Sequence, residues 1–248
     1  MEIGSYEEAL TIALQSTEAA HTLTFSVLLI INLLTLGIVY QALLLPEKAL
    51  QTHLEALKIA ESVSAKRYIS MSASLLCADY VFANDWEGAS RYARQALAAR
   101  DPREVIFAET PRWPETAALL HAGDSEQASE DLHIFHERFG TKKRCRVVLA
   151  RAQAVLGQSR GESEQAIVYL REAIAGAKEI GLPGECWQAE ATLGRLHLAR
   201  EEHEQAEQAF TRAASAIKQL AGNITSDEMR AHFLAAQQVR YILTHAKE

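Results

Sequence analysis

The stretch Pro46-Glu47-Lys48-Ala49 contains a short pattern, Glu-x-Ala, that returns at nearly even intervals along the whole chain. Subtracting successive alanine numbers gives spacings of 40, 40, 39, 38 and 40 residues. A period of this length, sustained over a chain, is typical of stacked helical repeats. The six copies are Glu7-Glu8-Ala9, Glu47-Lys48-Ala49, Glu87-Gly88-Ala89, Glu126-Gln127-Ala128, Glu164-Gln165-Ala166 and Glu204-Gln205-Ala206.

Each alanine of the pattern opens an apolar helical stripe, as in Ala206, Phe210 and Ala213 at spacings of four and three residues. A side chain this short lets a neighbouring helix approach closely, and the glutamate before it complements the helix dipole in the first turn. The pattern therefore predicts packing contacts rather than chemistry. The same offsets give Ala49, His53 and Ala56; Ala89, Ala93 and Ala96; and Ala166, Leu170 and Ala173.

Composition indicates a folded, helical protein. The 248 residues are 48% hydrophobic and 23% charged, and five prolines, twelve glycines and few alternating stretches favour an all-α chain. The net charge of -7 argues against direct nucleic-acid binding, which needs a basic surface. Cys77, Cys145 and Cys186 are far apart and form no CxxC pair, so neither a zinc site nor a disulfide framework is predicted. We expect a cytoplasmic protein.

One segment, residues 22–45, carries no charge and is long enough to span a bilayer. Asn32 and Gln41 interrupt it, and no cluster of Lys or Arg flanks it to set an orientation. The repeat also requires a helix just before Glu47. We therefore predict a buried helix of the solenoid, with a membrane anchor through residues 22–45 as the alternative.

The segment Leu36-Gly37-Ile38-Val39-Tyr40, followed by the spaced alanines, resembles the tetratricopeptide repeat, a helix–turn–helix unit. Leu76-Cys77-Ala78-Asp79-Tyr80 and Leu193-Gly194-Arg195-Leu196-His197 repeat it, with Cys77 and His197 as departures. The resemblance implies an all-α fold, a right-handed α–α superhelix of about five helical hairpins. A leading half-repeat and a C-terminal capping helix would complete it.

The domain organisation follows from the same register. We expect a single repeat domain over residues 1–248 that begins in mid-repeat, so that the natural polypeptide extends upstream of Met1. Pro102, Pro111 and Pro114 exclude one long helix and predict an irregular joint over residues 101–114. Further helices are predicted over 114–122, 125–139, 144–156 and up to 180, with a turn from Gly157 to Gly161. A closing helix over 226–244 would shield the last repeat.

Candidates for chemistry are few. His133 and His136 lie one helical turn apart with Glu130 and Glu137 nearby, a spacing that metal sites use. A carboxylate-bridged site would need a second Glu-x-x-His, which the sequence lacks, so we interpret these residues as an exposed polar face. Motifs of serine hydrolases, zinc proteases and phosphate loops are also missing from the sequence. We predict no enzyme, no cofactor and no metal.

The predicted site is a surface. In tetratricopeptide-like solenoids the first helix of each pair lines the concave side, which holds partners. An apolar groove near the N-terminal end would bind a peptide or helix; alternatively, upstream repeats or a second copy in a homo-oligomer would cover it. The candidate groove residues are Ile31, Leu34, Ile38 and Gln41 in the second copy, Met71, Ser74, Ala78 and Phe82 in the third, and Gln188, Arg195 and Leu198 in the last.

A second resemblance concerns function. The long period and the stretch from Gly181 to Leu196 are similar to the C-terminal repeat region of large bacterial signal-transduction regulators of the maltose-regulator type. That resemblance implies a non-catalytic sensor or scaffold that restrains an upstream ATPase and binds a protein, a peptide or other domains of the same polypeptide. The alternatives are a sensor that binds a small-molecule inducer and a membrane-anchored repeat protein.

Overall fold

A computed structural model describes residues 5–22, 25–101 and 112–247, and every regular element within these ranges is an α-helix. The helices are α1 (Tyr6–Thr22), α2 (Ser26–Ala42), α3 (Pro46–Ser62), α4 (Lys66–Phe82), α5 (Trp86–Ala99), α6 (Trp113–His121), α7 (Ser125–Phe139), α8 (Lys143–Ser159), α9 (Ser163–Glu179), α10 (Pro183–Ala199), α11 (His203–Gly222), α12 (Asp227–Ala235) and α13 (Gln237–His245).

The helices α2 to α11 form five successive pairs, each packed on the next. We call α2, α4, α6, α8 and α10 the first helices, and α3, α5, α7, α9 and α11 the second helices. A single helix, α1, precedes the pairs, and α12 and α13 follow them. This order of elements confirms the predicted all-α solenoid of tetratricopeptide type.

The Glu-x-Ala pattern marks the start of α1 and of every second helix, where each glutamate lies in the first turn. Its alanines face inward, which confirms that the pattern serves packing. The repeat therefore buries small side chains where one helix crosses the next. Ala49, Ala89 and Ala166 are completely buried, Ala128 and Ala206 are 1% exposed, and Ala9 is half-buried.

The glycine of the Leu-Gly-x-x-Tyr segment lies on a first helix and leaves space for a large side chain. That side chain comes from the second helix of the same pair. A Cβ atom at Gly37 would lie 2.2 Å from Nε2 of His53, and one at Gly194 would lie 2.8 Å from the ring of Phe210. Both large residues stand sixteen positions after their glycine. The glycine is therefore required by the close approach of a ring, rather than by backbone conformation.

Two predicted boundaries are wrong in detail. Helix α8 continues through Gly157 to Ser159, and only Gly161, with φ of 77°, makes the turn. The closing helix is two helices, because Ala236 is extended with ψ of 134°. Ser226 caps the first of them, since its hydroxyl accepts a hydrogen bond from the Met229 amide.

The third pair departs from the others in its first helix. Helix α6 begins at Trp113 and has 9 residues, whereas α2, α4, α8 and α10 have 17 each. The irregular joint predicted for residues 101–114 falls largely on residues 102–111, which lie outside the described residues. Helix α7 has the predicted bounds, Ser125–Phe139.

The uncharged segment forms α2, which packs between α1 and α3. Ile30, Leu33 and Leu34 are buried there, together with Leu36 and Val39. In the described part of the chain, no helix combines the length and apolar character needed to cross a membrane.

The two ends of the described chain meet, which the sequence did not predict. The Glu7 carboxylate accepts hydrogen bonds from the Thr225 amide at 2.6 Å, the Thr225 hydroxyl at 2.8 Å and the Ser226 amide at 3.2 Å. Tyr6 is buried in the same hydrophobic core as Trp187 and Phe233. Burial and the nearby Glu185 raise the pKa of the Tyr6 phenol. The start of α1 therefore contacts the segment that leads into α12.

The contact of Glu7 with the start of α12 gives a testable prediction. Its hydrogen bonds to Thr225 lower the pKa of Glu7, so the carboxylate is ionised at neutral pH and caps the amides before α12. We expect Glu7→Gln to speed amide hydrogen exchange across residues 225–235, and the difference from wild type to shrink as the pH falls and Glu7 becomes protonated. Glu8→Gln, an exposed neighbour in the same turn, is the control. Equal exchange in both variants would show that the contact does not hold the ends together.

Candidate binding surface on the first helices

The structure divides the eleven predicted groove residues by exposure. Ile31 is 39% and Phe82 is 45% exposed, whereas Leu34 is 1% exposed and packs in the core with Ile30 and Leu33. Leu34 therefore cannot contact a partner, because a first helix is covered on more than one side by its neighbours. Arg195 is exposed, Ser74 and Ala78 are buried, and Ile38, Gln41, Met71, Gln188 and Leu198 are half-buried.

A line of side-chain contacts connects four successive first helices. The ring of Phe82 on α4 meets the edge of Trp113 on α6, with centroids 5.6 Å apart. The Arg151 guanidinium of α8 lies over the Trp113 ring, 5.2 Å from its centroid. It also donates a hydrogen bond to the Gln188 side-chain oxygen of α10 at 3.1 Å and forms an ion pair with Glu185. We call Phe82, Trp113, Arg151 and Gln188 the aromatic–arginine line.

Trp113 and Arg151 were missed by the sequence reasoning, which named Phe82 and Gln188. The repeat period itself contains the signal for them. Ala89, Ala128 and Ala166 are separated by 39 and 38 residues, and the same two spacings separate Ser74, Trp113 and Arg151. Trp113 and Arg151 therefore occupy the same position in their repeats as the predicted groove residue Ser74. The prolines before Trp113 hid that register, because they suggested an irregular joint.

Gln41 has an internal role. Its amide donates to Oδ1 of Asp79 at 2.6 Å, and Oδ2 of Asp79 lies 2.6 Å from Nδ1 of His53. His53 and Asp79 have side chains only 0% and 4% exposed. The three residues connect α2, α3 and α4, so the His–Asp pair stabilises the stacking of two repeats.

A buried charge cluster connects α4, α5, α6 and α7. The Glu115 carboxylate accepts hydrogen bonds from the Arg100 guanidinium at 2.6 and 2.9 Å and from Arg112 at 3.1 Å. It also accepts a hydrogen bond from the Ser74 hydroxyl at 2.5 Å. Arg100 donates a further hydrogen bond to Asp131 at 2.7 Å. Burial by itself raises the pKa of Glu115, but the two arginines outweigh it and hold the pKa below its usual value. We call these five residues the buried charge cluster.

The histidines considered as metal ligands, His133 and His136, are exposed on α7. Across residues 5–22, 25–101 and 112–247, no group of three His, Cys, Asp or Glu side chains is placed to hold a metal ion.

Exposed large apolar side chains concentrate at the N-terminal end. Helices α1 and α2 pack together, with the Asn32 amide donating to the Ser16 carbonyl at 2.8 Å. Their exposed apolar residues form what we call the N-terminal apolar patch. It consists of Ile12, Leu14, Phe25, Val27, Leu28 and Ile31.

Comparison with known proteins bears on the fold. Neither a protein-family model nor a curated protein sequence matches the chain. Among solved structures, the chain is similar to BtubC (BKLC) from P. vanneervenii, at 20% identity and a TM-score of 0.53, over 89% of this chain and 94% of that one. It is also similar to a tetratricopeptide repeat protein from Parabacteroides merdae ATCC 43184, at 14% identity and a TM-score of 0.44, over 96% and 99%. The likeness to BtubC shows a shared helical-repeat fold.

Proposed function

We propose that the whole chain, residues 1–248, is a single non-catalytic binding module that holds a segment of a partner protein against its first helices. The aromatic–arginine line carries this proposal, because its contacts connect four first helices through the buried Arg151 and leave Phe82 exposed at one end. Phe82 is 45% exposed, although apolar groups of that size are usually buried. Aromatic side chains are enriched in protein interfaces.

The N-terminal apolar patch supports the same proposal. It spans α1 and α2, and α2 is the first helix next to α4. Ile31 and Met71 occupy matching positions one period apart. A group of exposed apolar side chains on a folded protein commonly marks an interaction site. A peptide along this surface would place apolar side chains against Ile31 and Phe82.

A selection experiment tests the proposed surface. We expect peptides enriched from a random displayed library on the immobilised protein to bind at least about tenfold more weakly to Ile31→Glu and Phe82→Glu, since each introduces a charge into an apolar contact. Val168→Glu, at a 44% exposed site on the second helix α9, is the matched control. Circular dichroism should show unchanged helicity in all three variants. Peptides that bind all three variants equally would show that the surface is not the site.

A more specific role follows from the resemblance to regulators of the maltose-regulator type. We propose that this module is the sensing region of a bacterial signal-transduction regulator, and that its partner is another domain of the same polypeptide. Reading the gene upstream of Met1 tests the role. An ATPase module encoded in the same frame would support the regulator, and a native start at Met1 would instead favour a separate adaptor.

A further inference from the structure

A cavity of about 210 Å³ lies between α4, α5 and α7, beside the short first helix α6. Its apolar side is formed by Met71, Leu97, Ile134, Phe135 and Phe139. The cavity is distinct from the aromatic–arginine line and does not depend on the function proposed above.

The polar side of the cavity is preorganised by the buried charge cluster. Arg100 and Arg112 line it, and Glu115 behind them accepts hydrogen bonds from both. Because these bonds are made within the protein, the two guanidinium groups are held in place before any ligand arrives.

Arg112 has one donor left over. Its residue is 6% exposed, its Nη1 donates to Glu115 at 3.1 Å, and its Nε–H is buried without an acceptor among the described residues. A buried donor without an acceptor destabilises the folded protein. An acceptor oxygen in the cavity would remove that cost. Burial lowers the pKa of Arg112, in keeping with its incomplete pairing.

The charges around the cavity decide which acceptor suits it. Arg100 pairs with Asp131 and with Glu115, and Arg112 pairs with Glu115. An ionised ligand would therefore lose its hydration and also compete with these ion pairs. A neutral carbonyl leaves the pairs intact and still accepts the Arg112 hydrogen bond.

We propose that this cavity is a binding site for a small neutral molecule that has an apolar chain and a carbonyl group. The chain lies against Met71, Ile134 and Phe135, and the carbonyl oxygen accepts from Nε of Arg112. Hexanamide is a simple probe with both features. Hexylammonium and hexanoate have the same chain with a positive or a negative charge.

Methionine-methyl NMR measures binding directly, because the chain has three methionines and Met71 lines the cavity, while Met229 lies on α12. Hexanamide should shift the Met71 signal saturably and leave Met229 unchanged, and both charged probes should bind more weakly. Ile134→Trp should abolish the shift by filling the cavity, whereas Ile59→Trp, at a half-buried isoleucine on α3, should preserve it.

Arg112→Lys keeps the charge that Glu115 requires and removes the Nε donor. Hexanamide should bind this variant about tenfold more weakly. No Met71 shift with hexanamide, an equal shift in Ile134→Trp, or tighter binding of either charged probe would overturn the proposal. Unchanged affinity in Arg112→Lys would overturn the assigned role of its Nε.

Discussion

Gly37→Ala is expected to destabilise the chain by about 2–3 kcal/mol, because the new methyl group would overlap a ring that cannot move. The Cβ atom would lie 2.2 Å from Nε2 and 2.4 Å from Cδ2 of His53. His53 is completely buried, and its Nδ1 is held 2.6 Å from Asp79, so the ring has neither space nor freedom to rotate away. Urea denaturation followed by circular dichroism measures the loss.

Two further variants isolate this overlap from general effects of alanine. Gly222→Ala, at the end of α11, meets no atom within 4 Å, so it should be neutral or stabilise the protein by up to about 1 kcal/mol. The double variant Gly37→Ala, His53→Ala should lose less stability than the sum of the losses in the two single variants, because the new methyl group no longer meets a ring. If Gly37→Ala and Gly222→Ala had the same stability, the close approach of α2 and α3 would be refuted.

Glu115→Ala is the second prediction with a large effect, a loss of about 3–5 kcal/mol. The substitution leaves Arg100 and Arg112 buried without the carboxylate that neutralises them, although Arg100 keeps Asp131. Removing one partner of a buried pair costs far more than the pair contributes. Thermal and urea denaturation of purified protein measure the effect.

Glu164→Ala is the matched control for Glu115→Ala. Glu164 pairs with Arg200, but its side chain is 79% exposed, so solvent replaces the lost interaction and little change is expected. Equal destabilisation by both substitutions would mean that burial does not govern the strength of these pairs.

The pH dependence of the Glu115 contribution has a definite sign. Its pKa in the folded state lies below the usual value of 4.5, despite the opposing effect of burial. The unfolded chain therefore binds the proton more readily, and the stabilisation is present above pH 4.5 and is lost as the pH falls through the folded-state pKa. Wild type should lose stability more steeply than Glu115→Gln as the pH falls below 4.5. Parallel curves for the two proteins would contradict this assignment.

The repeat period was enough to predict most of the helices. Local rules decide these features, since an alanine stripe, a first-turn glutamate or Pro46 acts within one or two turns of its own helix. This is why α7 has the predicted bounds and why the six copies of the pattern mark α1 and the second helices. The same period places Trp113 and Arg151 at the positions that correspond to Ser74 in the next two repeats.

The sequence by itself thus determined the helical pairs, their order and the alanines at which neighbouring helices pack. Only the tertiary structure decided which groove residues are buried, that Gln41 bonds to Asp79, and that Glu7 meets Thr225 across 218 positions. A periodic pattern describes each helix and its nearest partner. Burial and the meeting of the two ends depend instead on small rotations added from repeat to repeat, which no local stretch of residues encodes.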